Sequence, residues 1–156
     1  MSRTGTEVEP LWLDDQEMAA WLPLIRLLYL LPQALDRQLR EEVGISHTWY
    51  SMLAVLSAAP DRTLPMGELS QLSMASPSRL THAIDTMEKR GWVVRRPCPT
   101  DKRSQYAILT DEGFAVLEAI APSHVAEVRR LVFDRLDRVQ VEQLRRIGQT
   151  LLEGLE

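Results

Sequence analysis

The chain has 156 residues, of which 45% are hydrophobic and 26% charged, and it carries a formal net charge of −4 and a single cysteine. This length fits one domain with helical extensions, and the mixture of apolar and charged residues excludes an intrinsically disordered chain. The single cysteine excludes an intrachain disulfide framework and favours a reducing cytoplasm. Residues 1–13 lack the basic start and apolar core of a secretory signal, and we interpret them as a flexible N-terminal arm.

The first predicted element is a strongly apolar helix. Asp14 and Glu17 have the spacing of a capping box, and residues 19–31 (AAWLPLIRLLYLL) are apolar on nearly every side of a helix. This apolar segment is too short to cross a bilayer and contains Arg26, so we expect no membrane contact. Pro32 should kink or interrupt the helix. We predict that a second copy of the chain buries it; the alternative is the central helix of a monomer core.

Two shorter helices are predicted next. Ser46 is a suitable N-cap for a helix whose inner face carries Trp49, Met52, Leu53 and Leu56. The segment 66–72 (MGELSQL) follows as a second helix, with its two leucines, at positions 69 and 72, on the apolar side. A tight connection at residues 73–75 leads out of it.

The next predicted helix has an apolar back and a polar front. Ser76 is suited to cap its start, and Gly91 is suited to end it in a left-handed conformation. The apolar residues that recur at helical spacing are Leu80, Ala83, Ile84 and Met87. Two short helices joined in this way form a helix-turn-helix, whose second helix enters the major groove of DNA. The side chains that we predict to face DNA are Ser76, Ser78, Arg79, Thr81 and His82.

A strand, a polar turn and a second strand follow this helix. Residues 92–96 and 105–109 have strand character, and residues 97–104 contain the prolines and small polar residues of a hairpin tip. A hairpin after a recognition helix is a wing, and a cation at its tip suits the minor groove. We expect Arg103 to enter that groove and Asp101 to hold that arginine or a neighbouring one in position.

Charge supports a nucleic-acid partner for this region. Residues 76–105 carry seven basic and three acidic side chains, a net charge of +4 within an acidic chain. Such a surface favours double-stranded DNA as the partner. The predicted DNA-binding residues of the hairpin are Arg95, Arg96, Asp101, Lys102 and Arg103. Because Arg95 and Arg96 point to opposite sides of a strand, at most one of them can face the same phosphate.

Residues 76–113 (SPSRLTHAIDTMEKRGWVVRRPCPTDKRSQYAILTDEG) resemble the core of the MarR family of winged helix-turn-helix repressors. The resemblance lies in the Ser-Pro-Ser start, the Glu-Lys-Arg-Gly turn, the Asp-x-Arg of the wing and the Leu-Thr-Asp-Glu-Gly that opens the next helix. It implies a mainly α fold with a small β-hairpin wing, and a homodimer that binds a pseudo-palindromic operator and regulates transcription. His82 departs from the arginine that the family usually carries there.

Two further helices complete the predicted fold. Thr110 is a suitable N-cap with Gly113 in the first turn, and Pro122 should bend the helix that follows. The apolar stripes of the two helices are Phe114, Leu117, Ile120, Ala121, Val125, Val128 and Leu131, as far as about Leu136, and then Val141, Leu144, Ile147, Leu151 and Leu155. The small winged unit cannot cover both stripes. We therefore assign residues 14–44 and 114–156 to helical dimerisation extensions, and 45–113 to DNA binding.

The resemblance also implies an effector, often an aromatic acid, that binds between the dimerisation helices and the winged unit and relieves DNA binding. The candidate contacts for a small aromatic effector are Trp21, Arg26, Tyr29, His47 and Trp49. Core packing is the competing role for each of them.

Other functions have weaker support. No nucleophile, base or metal set forms a catalytic motif and no glycine-rich phosphate loop occurs, so we expect neither an enzyme nor a cofactor. A metal-responsive regulator would use His47, His82 and His124, which are scattered along the chain. A redox-responsive regulator would use Cys98, beside two arginines. A protein-interaction module without DNA binding leaves the cationic wing unexplained.

Overall fold

Helices dominate the structure, a computed structural model that describes residues 11–98 and 105–155. Residues 1–10 of the predicted arm and most of the predicted hairpin tip, residues 99–104, lie outside this description. The helices are α1 (Asp15–Val43), α2 (His47–Ala58), α3 (Met66–Leu72), α4 (Pro77–Lys89), α5 (Asp111–Leu131) and α6 (Arg138–Glu153). The strands are β1 (Thr63–Pro65), β2 (Val93–Pro97) and β3 (Gln105–Leu109), and two short 3-10 turns lie at Pro60–Arg62 and Phe133–Arg135.

The long first helix begins with the predicted capping box. The Glu17 amide donates to Asp14 Oδ1 at 2.8 Å, and the Asp14 amide donates to Glu17 Oε2 at 2.9 Å. The helix continues through Pro23 and Pro32, so of the kink or interruption predicted at Pro32, the interruption is wrong. A proline removes only its own amide from the hydrogen-bond ladder, and 29 residues of helix supply the rest. The helix ends at Gly44, whose φ of 71° is left-handed.

The two halves of α1 lie in different surroundings. Leu35, Gln38 and Leu39 in its second half are buried, whereas apolar side chains of its first half, such as Leu28 and Tyr29, are 59% and 69% exposed. The alternative of a central helix in a monomer core is therefore wrong. The whole helix, unlike its apolar segment alone, is long and apolar enough to cross a membrane by length and composition. A single helix of this kind is only weak evidence of a membrane span, since a helix that packs against other protein has the same length and composition.

The winged unit has its own hydrophobic core. Ser46 Oγ accepts the Trp49 amide at 3.2 Å and so caps α2 as predicted. The fully buried side chains of this core include Met52, Leu53, Leu56, Leu69, Ile84, Met87 and Val93. Leu72 was predicted on the same apolar side as Leu69 but is 53% exposed, because α3 ends at that residue.

The wing contains a third strand that the sequence analysis missed. The sheet is antiparallel in the order β1, β3, β2, with Leu64 opposite Ala107 and Val93 opposite Leu109. Strand β1 has three residues, too few to show an alternating pattern. Strand β3 has the predicted bounds, and β2 starts and ends one residue later than predicted.

Two helices follow the wing in the chain. Thr110 Oγ1 accepts the Gly113 amide at 3.0 Å, which confirms the predicted cap of α5. Helix α5 is continuous through Pro122 but ends at Leu131, a few residues before the predicted end. Helix α6 has no buried residue within the described chain, and its apolar side chains Leu144, Ile147 and Leu151 are 43%, 58% and 49% exposed. These side chains form an apolar stripe that the described residues leave about half exposed.

Candidate nucleic-acid interface

Helix α4 is capped at both ends by local hydrogen bonds. The Arg79 amide donates to Ser76 Oγ at 3.5 Å, and Pro77 occupies the first helical position, where its missing amide is no loss. At the other end, Gly91 adopts a φ of 75°, and its amide and that of Trp92 donate to carbonyls of the last turn. The predicted apolar back of the helix is buried, so its polar side faces outward.

The first turn of α4 presents the predicted DNA-facing residues to solvent. All five are exposed: Ser76, Ser78, Arg79, Thr81 and His82. The Thr81 hydroxyl donates to the Pro77 carbonyl at 2.9 Å, so it offers an outside partner only its oxygen. Ser76 and Ser78 lie with their hydroxyl oxygens 3.3 Å apart. The turn is therefore a row of hydroxyl groups flanked by a guanidinium and an imidazole.

Arg95 does not point outward as a phosphate contact would. Its Nη2 lies 2.6 Å from Asp85 Oδ1 and 2.7 Å from Glu88 Oε2, and both carboxylates belong to α4. Hydrogen bonds from Arg95 hold the pKa of Glu88 below its usual value, and the same bonds raise the pKa of Arg95. Arg96 is exposed, in agreement with the prediction that the two arginines face opposite sides.

The predicted wing-tip residues Asp101, Lys102 and Arg103 lie outside the described residues, and their roles stay predictions. Cys98, at the last described position before them, is buried, and its Sγ donates to the Tyr106 hydroxyl at 3.8 Å. This hydrogen bond raises the pKa of Tyr106. A buried thiol is poorly placed to meet an oxidant, which disfavours the redox alternative.

Two adjoining clefts lie beside α1 and the start of α2, and the smaller one reaches α4. The larger, of about 670 Å³, lies between α1 and the start of α2, and the smaller, of about 370 Å³, extends to the first turns of α4. Asp36, Arg40 and Thr48 line both clefts. Arg79 and His82 line the smaller one, so the part of α4 that we predict to face DNA borders a cavity.

The structure divides the predicted effector contacts into two groups. His47 lines the larger cleft and Trp49 the smaller, whereas Trp21, Arg26 and Tyr29 lie on the exposed half of α1 and line neither. Trp49 also packs edge to face on Trp92, with ring centroids 6.5 Å apart. The sequence analysis missed the polar residues of α1 that line the clefts, among them Asp36, Arg37 and Arg40. The spacing of Asp36 and Arg40, four residues apart near the end of a helix, was the available signal.

Asp36 joins α1 to α2 at the edge of both clefts. Its Oδ1 accepts the His47 amide at 2.9 Å, and its Oδ2 accepts Arg40 Nε at 2.5 Å. Burial opposes ionisation of Asp36, but the hydrogen bonds from Arg40 and His47 outweigh it and hold the pKa of Asp36 below its usual value. The carboxylate therefore fixes a cationic side chain at the cleft.

His124 is a satisfied interior histidine, as one interpretation of the sequence allowed. Its Nδ1 lies 3.1 Å from Gln38 Oε1, and its ring lies 4.1 Å from that of Tyr50 and 5.4 Å from that of His47. His82 is exposed on α4 instead. No group of three metal-ligating side chains occurs among the described residues, so they give the metal alternative no support.

A capped recognition helix with an exposed polar first turn, preceded by a short helix and followed by an antiparallel wing sheet, defines a winged helix-turn-helix DNA-binding protein. The profile of the MarR family matches residues 43–104. The solved structure of Sco3205, a MarR family transcriptional regulator from Streptomyces coelicolor in complex with DNA, is 46% identical, with a TM-score of 0.89 over 96% of this chain and 93% of that chain. The chain belongs to the MarR family of transcriptional regulators.

Curated relatives agree with this assignment. The HTH-type transcriptional regulator PecS of Dickeya dadantii (strain 3937) is 33% identical over 77% of this chain and 72% of its own length. YkoM of Bacillus subtilis (strain 168), an uncharacterized HTH-type transcriptional regulator, is 35% identical over 67% of this chain and 66% of its own length. These relatives confirm the predicted resemblance and a role in transcription regulation rather than catalysis.

Proposed function

We propose that the protein is a homodimeric repressor that binds a pseudo-palindromic operator and is released from it by a small-molecule effector. The exposed, capped first turn of α4 is the observation that carries this proposal. Base edges in the major groove are reached by the N-terminal residues of a recognition helix, and this turn presents a guanidinium there. The DNA complex of Sco3205 supports the same use of the fold.

The side chains of the helix and of the wing suit different parts of the DNA, because their chemistry differs. Arg79 has the geometry to pair with the O6 and N7 atoms of guanine, while the hydroxyl groups of Ser76, Ser78 and Thr81 suit phosphate oxygens. Lys102 and Arg103, predicted at the wing tip, would supply cations to the neighbouring minor groove. Arg96, exposed on β2, is the better placed of the two strand arginines to reach a phosphate.

Uncovered apolar surface supports the dimer. The first half of α1 and the stripe of α6 expose large apolar side chains that the rest of the described chain does not cover, whereas the winged unit has an interior of fully buried side chains. We assign 14–44 and 114–156 to dimerisation and 45–113 to DNA binding. Two-fold symmetry would then set the recognition helices about 34 Å apart, one turn of DNA.

The paired clefts support effector control. A small aromatic acid could place its carboxylate near Arg40 and its ring near Trp49. Because Arg79 and His82 line the same cleft, an occupant there would compete for the side chains that face DNA. We propose that the regulator acts in the cytoplasm, where its operator lies.

Selection of duplexes from a random-sequence library by the wild-type protein tests the proposal. We expect an enriched inverted repeat with half-sites about one helical turn apart, and twice the chain mass by sedimentation. If the dimer contacts about eight phosphates, affinity should fall by several powers of ten between low and moderate salt. A monomer, or a protein that enriches no sequence, contradicts the proposal.

A further inference from the structure

We propose that Arg95 is a positioning residue: it holds recognition helix α4 at a fixed angle to the wing sheet and so sets how well specific DNA is told from other DNA. The inference rests on DNA binding by α4, as proposed above. It assigns to Arg95 a role different from the phosphate contact that its position in a basic segment predicts.

Arg95 grips α4 through both its side chain and its backbone. The side chain donates from Nη2 to Asp85 and Glu88, at 2.6 Å and 2.7 Å, and from Nε to Glu88 Oε2 at 3.1 Å. The Arg95 backbone amide donates to Glu88 Oε1, also at 3.1 Å. Forked bonds of this kind between guanidinium and carboxylate restrict orientation as well as distance. One residue of the strand is therefore tied to two points on the helix, about one turn apart.

The hydrogen bonds of Arg95 with Asp85 and Glu88, which we call the clamp, connect the centre of the sheet with the exposed side of α4. Arg95 lies opposite Ala107, a fully buried residue at the centre of the sheet, so the strand is fixed to the core. Asp85 follows His82 by three residues, on the same side of α4. The clamp thus connects the centre of the wing to the face of the helix that meets DNA.

Charge alone makes Asp85 and Glu88 unfavourable at this place. Two carboxylates close to a DNA-facing turn repel phosphates, so removing them should strengthen binding if they had no other task. The buried back of α4, which includes Ile84 and Met87, does not depend on them. The presence of these two carboxylates is explained if the orientation of α4 contributes more to DNA binding than their repulsion of phosphates costs.

A fixed orientation of α4 should favour specific binding because the helix is preorganised. A recognition helix that is held in place before binding loses less conformational freedom when it docks, and base contacts require accurate placement. Binding to unrelated DNA depends mainly on the number of phosphates neutralised, and it tolerates a looser helix. The clamp should therefore affect specific affinity far more than non-specific affinity.

The test compares the double variant Asp85→Asn/Glu88→Gln with the wild type. The probes are the duplex that the wild type selects from a random library and a scrambled duplex of equal length. We expect specific affinity to fall about tenfold or more, which is about 1.4 kcal/mol, although two negative charges are removed. Affinity for the scrambled duplex should be unchanged or higher. Equal or tighter specific binding by the double variant overturns the proposal.

Arg95→Ala and Arg96→Ala form a matched pair that removes one positive charge from adjacent positions. For Arg95→Ala we expect lower specific affinity with the wild-type salt dependence, and Arg95→Lys should restore part of the loss. A drop of about one in the salt slope for Arg95→Ala would mark a direct phosphate contact and overturn the proposal. Thermal unfolding and sedimentation report whether each variant is folded. If the alanine variant is not folded, the conservative Arg95→Lys variant is compared with the wild type in its place.

The outcome for the wild type separates this inference from the proposed function. A wild-type protein that selects no duplex overturns both. A wild type that selects an operator, with variants that bind it equally well, overturns the clamp alone.

Discussion

Gly113, in the first turn of α5, lies directly against the backbone carbonyl of Trp92 at the start of the wing. A Cβ at position 113 would lie 2.1 Å from that carbonyl oxygen. Beside it, the Thr110 hydroxyl lies 2.6 Å from the Gly91 carbonyl and 3.0 Å from that of Trp92. The Leu-Thr-Asp-Glu-Gly motif therefore fastens the last helices to the DNA-binding unit.

This contact predicts that Gly113→Ala is strongly destabilising. The added methyl group must displace backbone rather than a movable side chain, and overpacking of this kind costs about 1–3 kcal/mol or more. Urea unfolding at fixed protein concentration measures the change. Gly67→Ala, in α3 with open space around its Cα, is the control and should be neutral or slightly stabilising. Equal stability of the two variants would contradict the close approach.

The buried His124 and the half-buried His47 beside it predict that stability falls in mild acid. Burial lowers the pKa of His124, and the charge of His47 lowers it further; burial also lowers the pKa of His47, against an opposing effect of Asp36. The carboxylates of Glu42 and Glu127 act to raise the pKa of His124 but do not reverse the shift.

The unfolded chain therefore takes up these protons before the folded one. The stability contribution is complete above a pH of about 6.5 and is lost as pH falls from there through the folded-state pKa values, at no more than about 1.4 kcal/mol per pH unit for each histidine. Unfolding free energies between pH 8 and pH 5 measure the slope. His124→Gln should reduce the slope, and His82→Gln, at an exposed site, should not. A slope independent of His124 refutes this account.

Arg79→Ala tests direct base reading by α4. We expect a loss of about 1–3 kcal/mol on the selected operator and a relaxed preference at one base pair of each half-site. Gel-shift titration with operator duplexes altered at single positions measures both effects. Arg138→Ala, at the start of α6, removes an equal charge elsewhere and should change neither. A uniform loss on every duplex would instead assign Arg79 to a phosphate.

Arg103→Ala tests the predicted wing contact. We expect strongly weakened operator binding without unfolding of the dimer, because the minor groove concentrates negative potential around an inserted cation. Gel-shift titration and thermal unfolding, carried out on the same preparation, measure the two quantities. Unchanged operator affinity would remove Arg103 from the interface.

Ile147→Asp tests the dimer surface on α6. A carboxylate placed in an apolar interface should weaken association by more than about 2 kcal/mol, since the charge loses its water. Gln149→Asp introduces the same residue on the same helix, two positions from Ile147 and on the opposite side, where the side chain is exposed and polar, and should be tolerated. Sedimentation across a range of concentrations measures dissociation. Equal dissociation constants for the two variants would place the interface elsewhere.

Local chemistry was enough to predict most helices and two of the three strands, β2 and β3. The caps at Asp14, Ser76 and Thr110 and the left-handed Gly91 depend on residues within a few positions of one another, so they are visible in the sequence. The run of motifs from the start of α4 to the start of α5 was sufficient to indicate the family.

Contacts between distant residues were decided only by the tertiary structure. Strand β1 exists because Thr63–Pro65 pairs with a strand more than forty residues later, and three residues carry no pattern of their own. The Arg95 side chain, on β2, pairs with two carboxylates of α4 and does not extend into solvent. The net charge of the segment could not have predicted this geometry. The larger cleft at Asp36 likewise arises where α1 meets α2, and the pairing of His47 with His124 arises where α2 meets α5. In each case the partners lie too far apart along the chain for local sequence to connect them.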